Sequence, residues 1–182
     1  MLSDLQQRKF IVAFKLYDGN GDGVIEKADF LGFAERMARA FDESAPPEAA
    51  AQLSQTMANQ WEQTRQMADL ERDDRITMDE WLKYYEAVTS TPKGINAFAD
   101  GWTEASFAMY AIVDPNGPQD AQPRERFMKW LTVGGWDAAE AAKVFDRLDA
   151  DGDGKLSREE TCNLVAEWLG DDPSARGNWL MG

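Results

Sequence analysis

The sequence predicts an all-α protein: four helix–loop–helix units in two paired lobes of one compact body, with short β bridges between paired loops. Three observations carry this. Apolar residues recur at helical spacing with no strand-like alternation of any length. Four acidic, turn-rich breaks, beginning at Asp18, Asp69, Asp114 and Asp149, each separate two such stretches. The 182 residues are 43% apolar, with seven Trp, nine Phe and four Tyr, which is enough bulk for a core without covalent staples.

Elements follow in order. Ser3 or Asp4 caps a helix to about Tyr17, with Phe10, Ala13, Phe14 and Tyr17 on one face. A second runs from Lys27 to Phe41, with Phe30, Phe33, Ala34, Met37 and Phe41 inward, and Asp42–Glu48 with its Pro46-Pro47 reads as a turn. A long helix spans 48–68, and the chain restarts helically through Trp81, Tyr84, Tyr85 and Val88. The turn residues of Thr89–Gly94 mark the boundary between halves, giving an N-terminal pair over 1–90 and a C-terminal pair over 95–182. Helices over 95–113, through Phe127, Trp130 and Leu131, over 138–148, and through Leu164, Val165 and Trp168 complete the second half. The segment 170–182 is expected to pack back through Trp179, Leu180 and Met181; a frayed polar tail is the alternative.

The excess of 33 acidic over 19 basic residues gives a formal charge of −14. Cations are the natural partners, and nucleic acid or an anionic membrane surface is disfavoured because both require clustered Lys and Arg. With no His and a single Cys, Cys162, the chain cannot form a Ser-His-Asp or Cys-His nucleophile system, a His-ligated zinc site, a c-type haem or an internal disulfide. Met1–Arg8 is polar, without the apolar region of a secretion signal, and no window reaches about 18 apolar residues. The expectation is a cytoplasmic, monomeric, non-enzymatic protein with no membrane insertion and a protein partner left unspecified.

The fourth break, DADGDGKLSREE from Asp149 to Glu160, fills a calcium-loop pattern without departure. Asp149, Asp151 and Asp153 offer carboxylates around a tight turn, Lys155 its carbonyl, Ser157 a water, and Glu160 two oxygens, which is the hard-oxygen set Ca²⁺ prefers. The first, DGNGDGVIEKAD, supplies Asp18, Asn20, Asp22, the Val24 carbonyl and Glu26, but closes on Asp29, one methylene shorter than Glu. A shorter closing arm favours a smaller shell, so a mixed Ca²⁺/Mg²⁺ site is expected there.

The second break, DLERDDRITMDE, offers Asp69, Glu71, Asp73, the Arg75 carbonyl and Glu80, with Glu71 over-long and Asp74 in place of the bend glycine. It is either a weak metal site or a structural partner whose Ile76 pairs with Ile25. The third keeps Asp114 and Asn116 but then runs through Pro118, Gln119 and Ala121, is one residue too long, and puts Arg126 where the last ligand belongs. A structural role beside the fourth loop, without metal, is expected.

These motifs resemble the EF-hand superfamily, and the layout is similar to the sarcoplasmic calcium-binding proteins and bacterial calerythrin over nearly the whole chain, including the closing GNWLMG. The resemblance implies a two-lobed helical protein whose cavity is filled with aromatic residues, acting as a cytosolic Ca²⁺ buffer or signal modulator. Photoproteins are similar in layout, but their oxidative chemistry relies on His, which is absent here. Scattered Met and dominant aromatic residues argue for a buffer; the alternative is a Ca²⁺ sensor exposing an apolar surface to a partner protein.

Overall fold

The structure, a computed structural model, describes residues 1–41 and 45–180. Residues 42–44 of the turn expected at 42–48, together with Met181 and Gly182, lie outside them. Among the described residues, eight helices, α1 (Asp4–Tyr17), α2 (Lys27–Ala40), α3 (Ala49–Ala68), α4 (Met78–Thr89), α5 (Pro92–Val113), α6 (Arg124–Val133), α7 (Ala138–Leu148) and α8 (Arg158–Leu169), alternate in pairs with four short strands. A final 3₁₀ turn covers Arg176–Trp179.

Local chemistry sets the helix starts. Ser3, Thr77 and Ser157 each accept from the amide three residues on while a Gln or Glu there reaches back, forming capping boxes at α1, α4 and α8. In α4 and α8 that reaching residue is Glu80 or Glu160, so the last loop position doubles as a helix cap. Pro92 occupies the first turn of α5 and Thr91 caps it, leaving only Ser90 and Thr91 between α4 and α5. The break expected over 89–94 is therefore shorter, because proline at a helix start is favourable where its missing N–H has no partner to lose.

Strand β1 (Val24–Ile25) pairs antiparallel with β2 (Ile76–Thr77), and Ile25 lies opposite Ile76, the expected partner. Strand β3 (Ala121–Pro123) pairs with β4 (Lys155–Ser157). Here Gln122, not Ala121, faces Leu156. The extra loop residue shifts the register by one, and a one-residue shift exchanges the two faces of a strand.

Packing repeats in both halves: α2 lies on α3 and α1 on α4, as α6 lies on α7 and α5 on α8. The two halves nevertheless share one core. Phe10 of α1 stacks on Tyr85 of α4 at 4.3 Å, and Trp168 of α8 meets both edge-on at 5.2 and 5.7 Å. The C-terminal segment closes over this junction. Leu180 is fully buried, and the Lys9 ammonium donates to the Gly170 carbonyl and Asn178 Oδ1, both at 2.8 Å. Trp179, expected inside, is 44% exposed and instead carries the Arg147 guanidinium 3.6 Å above its ring.

Candidate metal centre

Each acidic loop follows a helix whose last carbonyls would otherwise be open, and in the first, second and fourth loops the first Asp organises the turn. In the fourth loop Asp149 accepts from the amides of Gly152 and Gly154, both at 3.0 Å, and Asp151 and Asp153 accept from the amides two residues on. Gly154 takes φ 82°, which wraps the chain round a common centre. The result converges three carboxylates: oxygens of Asp149, Asp151 and Asp153 lie within 4.8 Å of one another, and both Asp151 and Asp153 are exposed. Glu160 follows at the last loop position, outside that group of three. Its Oε2 accepts from the Ser157 amide and hydroxyl at 2.9 and 2.7 Å, whereas Oε1 takes no hydrogen bond among the described residues. Converging like charges repel, and a cation is the simplest group that relieves them.

The first loop has the same hydrogen bonding. Asp18 accepts from the amides of Gly21, Asp22 and Gly23 at 2.8–3.1 Å, and Asn20 and Asp22 from those two residues on. The closing Asp29 is buried and receives the Glu26 amide on Oδ2 at 2.8 Å, leaving Oδ1 without a hydrogen bond among the described residues. Glu26 is not a free ligand: its Oε1 sits 3.0 Å from Nε of Arg75 across the β1–β2 ribbon. Both residues belong to sequence-derived ligand sets, and the structure pairs them with each other.

The second loop answers its own charge. Glu80 is buried and spends both oxygens on protein donors: Oε1 on the amides of Leu70 and Glu71 at 2.9 and 3.2 Å, Oε2 on the amide and hydroxyl of Thr77 at 2.9 and 2.8 Å. Burial alone would raise its pKa, but these bonds more than offset that and hold the carboxyl below its usual range. Asp74 does adopt the positive φ its position requires, 64°, and Arg72 takes 60°. Asp69 organises the turn by accepting from the amides of Arg72, Asp73 and Asp74 at 2.6–3.3 Å, Asp73 accepts from the Arg75 amide, and Glu71 stays exposed. Arg65 reaches over to Asp74 at 2.7 Å, adding a positive charge beside the loop.

The third loop contains its own cation. The Arg126 side chain is only 5% exposed; Nη2 meets Asp114 Oδ2 at 2.5 Å, Nη1 donates to the Pro118 carbonyl at 2.6 Å, and the group lies 5.4 Å from the Tyr110 ring. Gly117 makes room, since a Cβ there would collide with both the guanidinium and the Asp114 carboxylate. Gln119 ties the turn by donating to the Gly117 carbonyl at 2.8 Å. Sequence reasoning identified Arg126 as an obstacle to a metal and missed that it takes the metal's place; a basic residue at the ligand-closing position twelve residues after a loop Asp was the available signal.

An EF-hand family model matches residues 11–34 and 141–163, the segments holding the first and fourth loops. The match covers those two helix–loop–helix segments. The chain resembles calerythrin of Saccharopolyspora erythraea, at 27% identity over 85% of this chain and 86% of that one, and the sarcoplasmic calcium-binding protein beta chain of Penaeus, at 34% identity over 50% and 46%. Among solved structures it is similar to a calcium-binding protein of Streptomyces coelicolor, with a TM-score of 0.74 and 25% identity over 90% of this chain and 97% of that one. Among the described residues no helix is long and apolar enough to cross a membrane.

Proposed function

We propose that this protein binds Ca²⁺ at two centres and acts as a buffer of the free ion. One observation carries the reading: Asp149, Asp151 and Asp153 converge while Glu160 keeps one oxygen uncommitted. The fourth site would be formed by those four carboxylates, the Lys155 carbonyl and a water on Ser157; the first by Asp18, Asn20, Asp22, the Val24 carbonyl and Asp29, with Glu26 available on release from Arg75. The free Asp29 oxygen supports one-point closure, and hence Mg²⁺ competing with Ca²⁺ in the first loop. The second and third loops, with Glu80 and Asp114 already satisfied, serve as rigid partners along the β1–β2 and β3–β4 ribbons. Two lobes, 1–90 and 95–182, each then pair one metal loop with one protein-locked loop.

Buffering rather than sensing is supported by the core. The Phe10–Tyr85–Trp168 junction joins the halves, so opening one lobe would expose aromatic surface at roughly 25 cal/mol per Å². Affinities on the order of 10⁻⁸ to 10⁻⁶ M are expected. Calorimetric titration with Ca²⁺, with and without Mg²⁺, tests the reading. The expected result is two ions per chain, the weaker isotherm shifted by Mg²⁺; dissociation constants in the millimolar range would overturn it. Hydrogen exchange separates buffer from sensor: protection gained in the loops alone supports the former, and loss of protection in α1, α4 and α8 on adding Ca²⁺ contradicts it.

A further inference from the structure

The aromatic residues do not fill the interior. Between α3, α4 and α5 lies a cavity of about 510 Å³, within the ~300–1,000 Å³ of pockets that hold organic ligands. Its walls include Tyr17, Phe30, Trp81, Tyr84, Tyr85 and Trp102, neighbouring rings meeting at 5.0–6.4 Å, mostly at steep angles that turn both ring faces and edges inward. On α5 the wall drops to Ala97, Gly101 and Ala105, one face of the helix, which leaves a flat lip beside the rings.

The lining has a distinct charge character. None of its eighteen residues is an Asp, Glu, Lys or Arg, in a chain with 29% charged residues where a chance sample would hold about five. Polarity comes instead from neutral groups: the amides of Asn59, Gln60 and Gln63 along the α3 side, and the hydroxyls of Tyr84 and Tyr85, which make no hydrogen bond among the described residues. Burial raises the Tyr84 phenol to about 12, so it remains a donor at neutral pH. A void of this size lined by rings leaves dispersion contacts unmade, and the Tyr84 and Tyr85 hydroxyls, which are not among the buried unpartnered polar atoms, stand open to whatever occupies it.

We propose that this cavity is a binding site for an uncharged, largely planar aromatic molecule carrying at least one hydrogen-bond acceptor. Stacking against Trp81, Trp102 and Tyr85 supplies the affinity, and the phenols of Tyr84 and Tyr85 orient the acceptor. An anionic ligand is selected against by the −14 net charge, and a cationic one finds no carboxylate in the wall. The site stands independently of which loops hold metal.

The test uses N-phenyl-1-naphthylamine, an uncharged aromatic fluorophore, titrated into the full chain at fixed Ca²⁺, with emission sensitised from the lining Trp81 and Trp102. One saturable site per chain is expected. Gly101→Leu fills the void, because a Cβ at Gly101 meets nothing within 4 Å, and it improves helix propensity, so the variant folds. It should weaken the probe by about tenfold or more. Ala108→Leu, exposed on α5 away from the lining, should leave binding unchanged. The absence of saturable binding, an affinity in Gly101→Leu within about twofold of the parent, or a cavity covered by a second copy of the chain, seen as a dimer by light scattering, would each overturn the proposal.

Discussion

Replacing Arg126 by Met keeps most of the side-chain volume while removing the cation inside the third loop. Two charge-assisted hydrogen bonds are lost, to Asp114 and the Pro118 carbonyl, each worth about 1.5–3 kcal/mol. Breaking one side of a buried pair costs roughly 3–5 kcal/mol, but the Asp114 side chain is 26% exposed and regains water when released. Arg126 Nε is buried without a partner, so its removal returns part of the cost. About 3 kcal/mol of lost stability is the balance, a fall in Tm of about 6–12 °C for a chain of this size. Urea denaturation at saturating Ca²⁺ measures it, and a double-mutant cycle with Asp114→Asn should return a coupling of about 1.5–3 kcal/mol. A loss below about 1 kcal/mol, or no coupling, would refute the view that the guanidinium does the work of an ion. Since β3 pairs with β4, Arg126→Met should also weaken Ca²⁺ at the fourth loop while leaving the first unchanged.

Other expectations follow from the same geometry. Glu160→Gln should weaken the fourth site by at least about tenfold in Ca²⁺ titrations, whereas Glu80→Gln should leave the number of bound ions unchanged and lower the urea midpoint, because Glu80 already serves four protein donors. Asp29→Glu should raise the preference of the first site for Ca²⁺ over Mg²⁺; an unchanged ratio by calorimetry would count against one-point closure. Lys9, buried under the C-terminal segment, has its pKa lowered from 10.5 to about 8, chiefly by desolvation. Between those values the unfolded chain binds more protons than the folded one, so stability relative to Lys9→Met should rise with pH, by on the order of 2 kcal/mol from about pH 7.5 to 9.5, and stay flat below about pH 7. Denaturation series at these pH values decide the sign.

Much of this protein is written in periods and spacings. The helices are legible because inward residues such as Phe30, Ala34 and Met37 recur every three or four positions, and all three are buried. The pairing of Ile25 with Ile76 is equally legible, since both occupy the eighth position of their loops. The helical period and each loop's eighth position depend on neighbours within about a dozen residues and local sequence states them directly, while the pairing of two distant eighth positions is legible from the repetition of the unit. The oxygen sets of the first and fourth loops belong here too, as does the misfit of the third.

Tertiary structure decided what happens when a loop departs from its pattern. Glu71 and Asp74 do not say whether the second loop is empty or merely weak; the engagement of both Glu80 oxygens by protein donors depends on how tightly Leu70 and Glu71 fold back over α4. Arg126 reads as a flaw until the chain wraps Gly117 and Pro118 round it and the flaw becomes an internal counter-ion. Trp179 carries the signature of a core residue, yet Leu180 takes the buried place because the 3₁₀ turn directs only one of the two inward. The cavity is the furthest from the sequence, since residues from α1, α2, α3, α4 and α5 meet around it and no local pattern records how much space such rings leave between them. Charge, period and ligand spacing act along the chain; the filling of space is settled between elements, where each side chain's neighbours are distant in sequence.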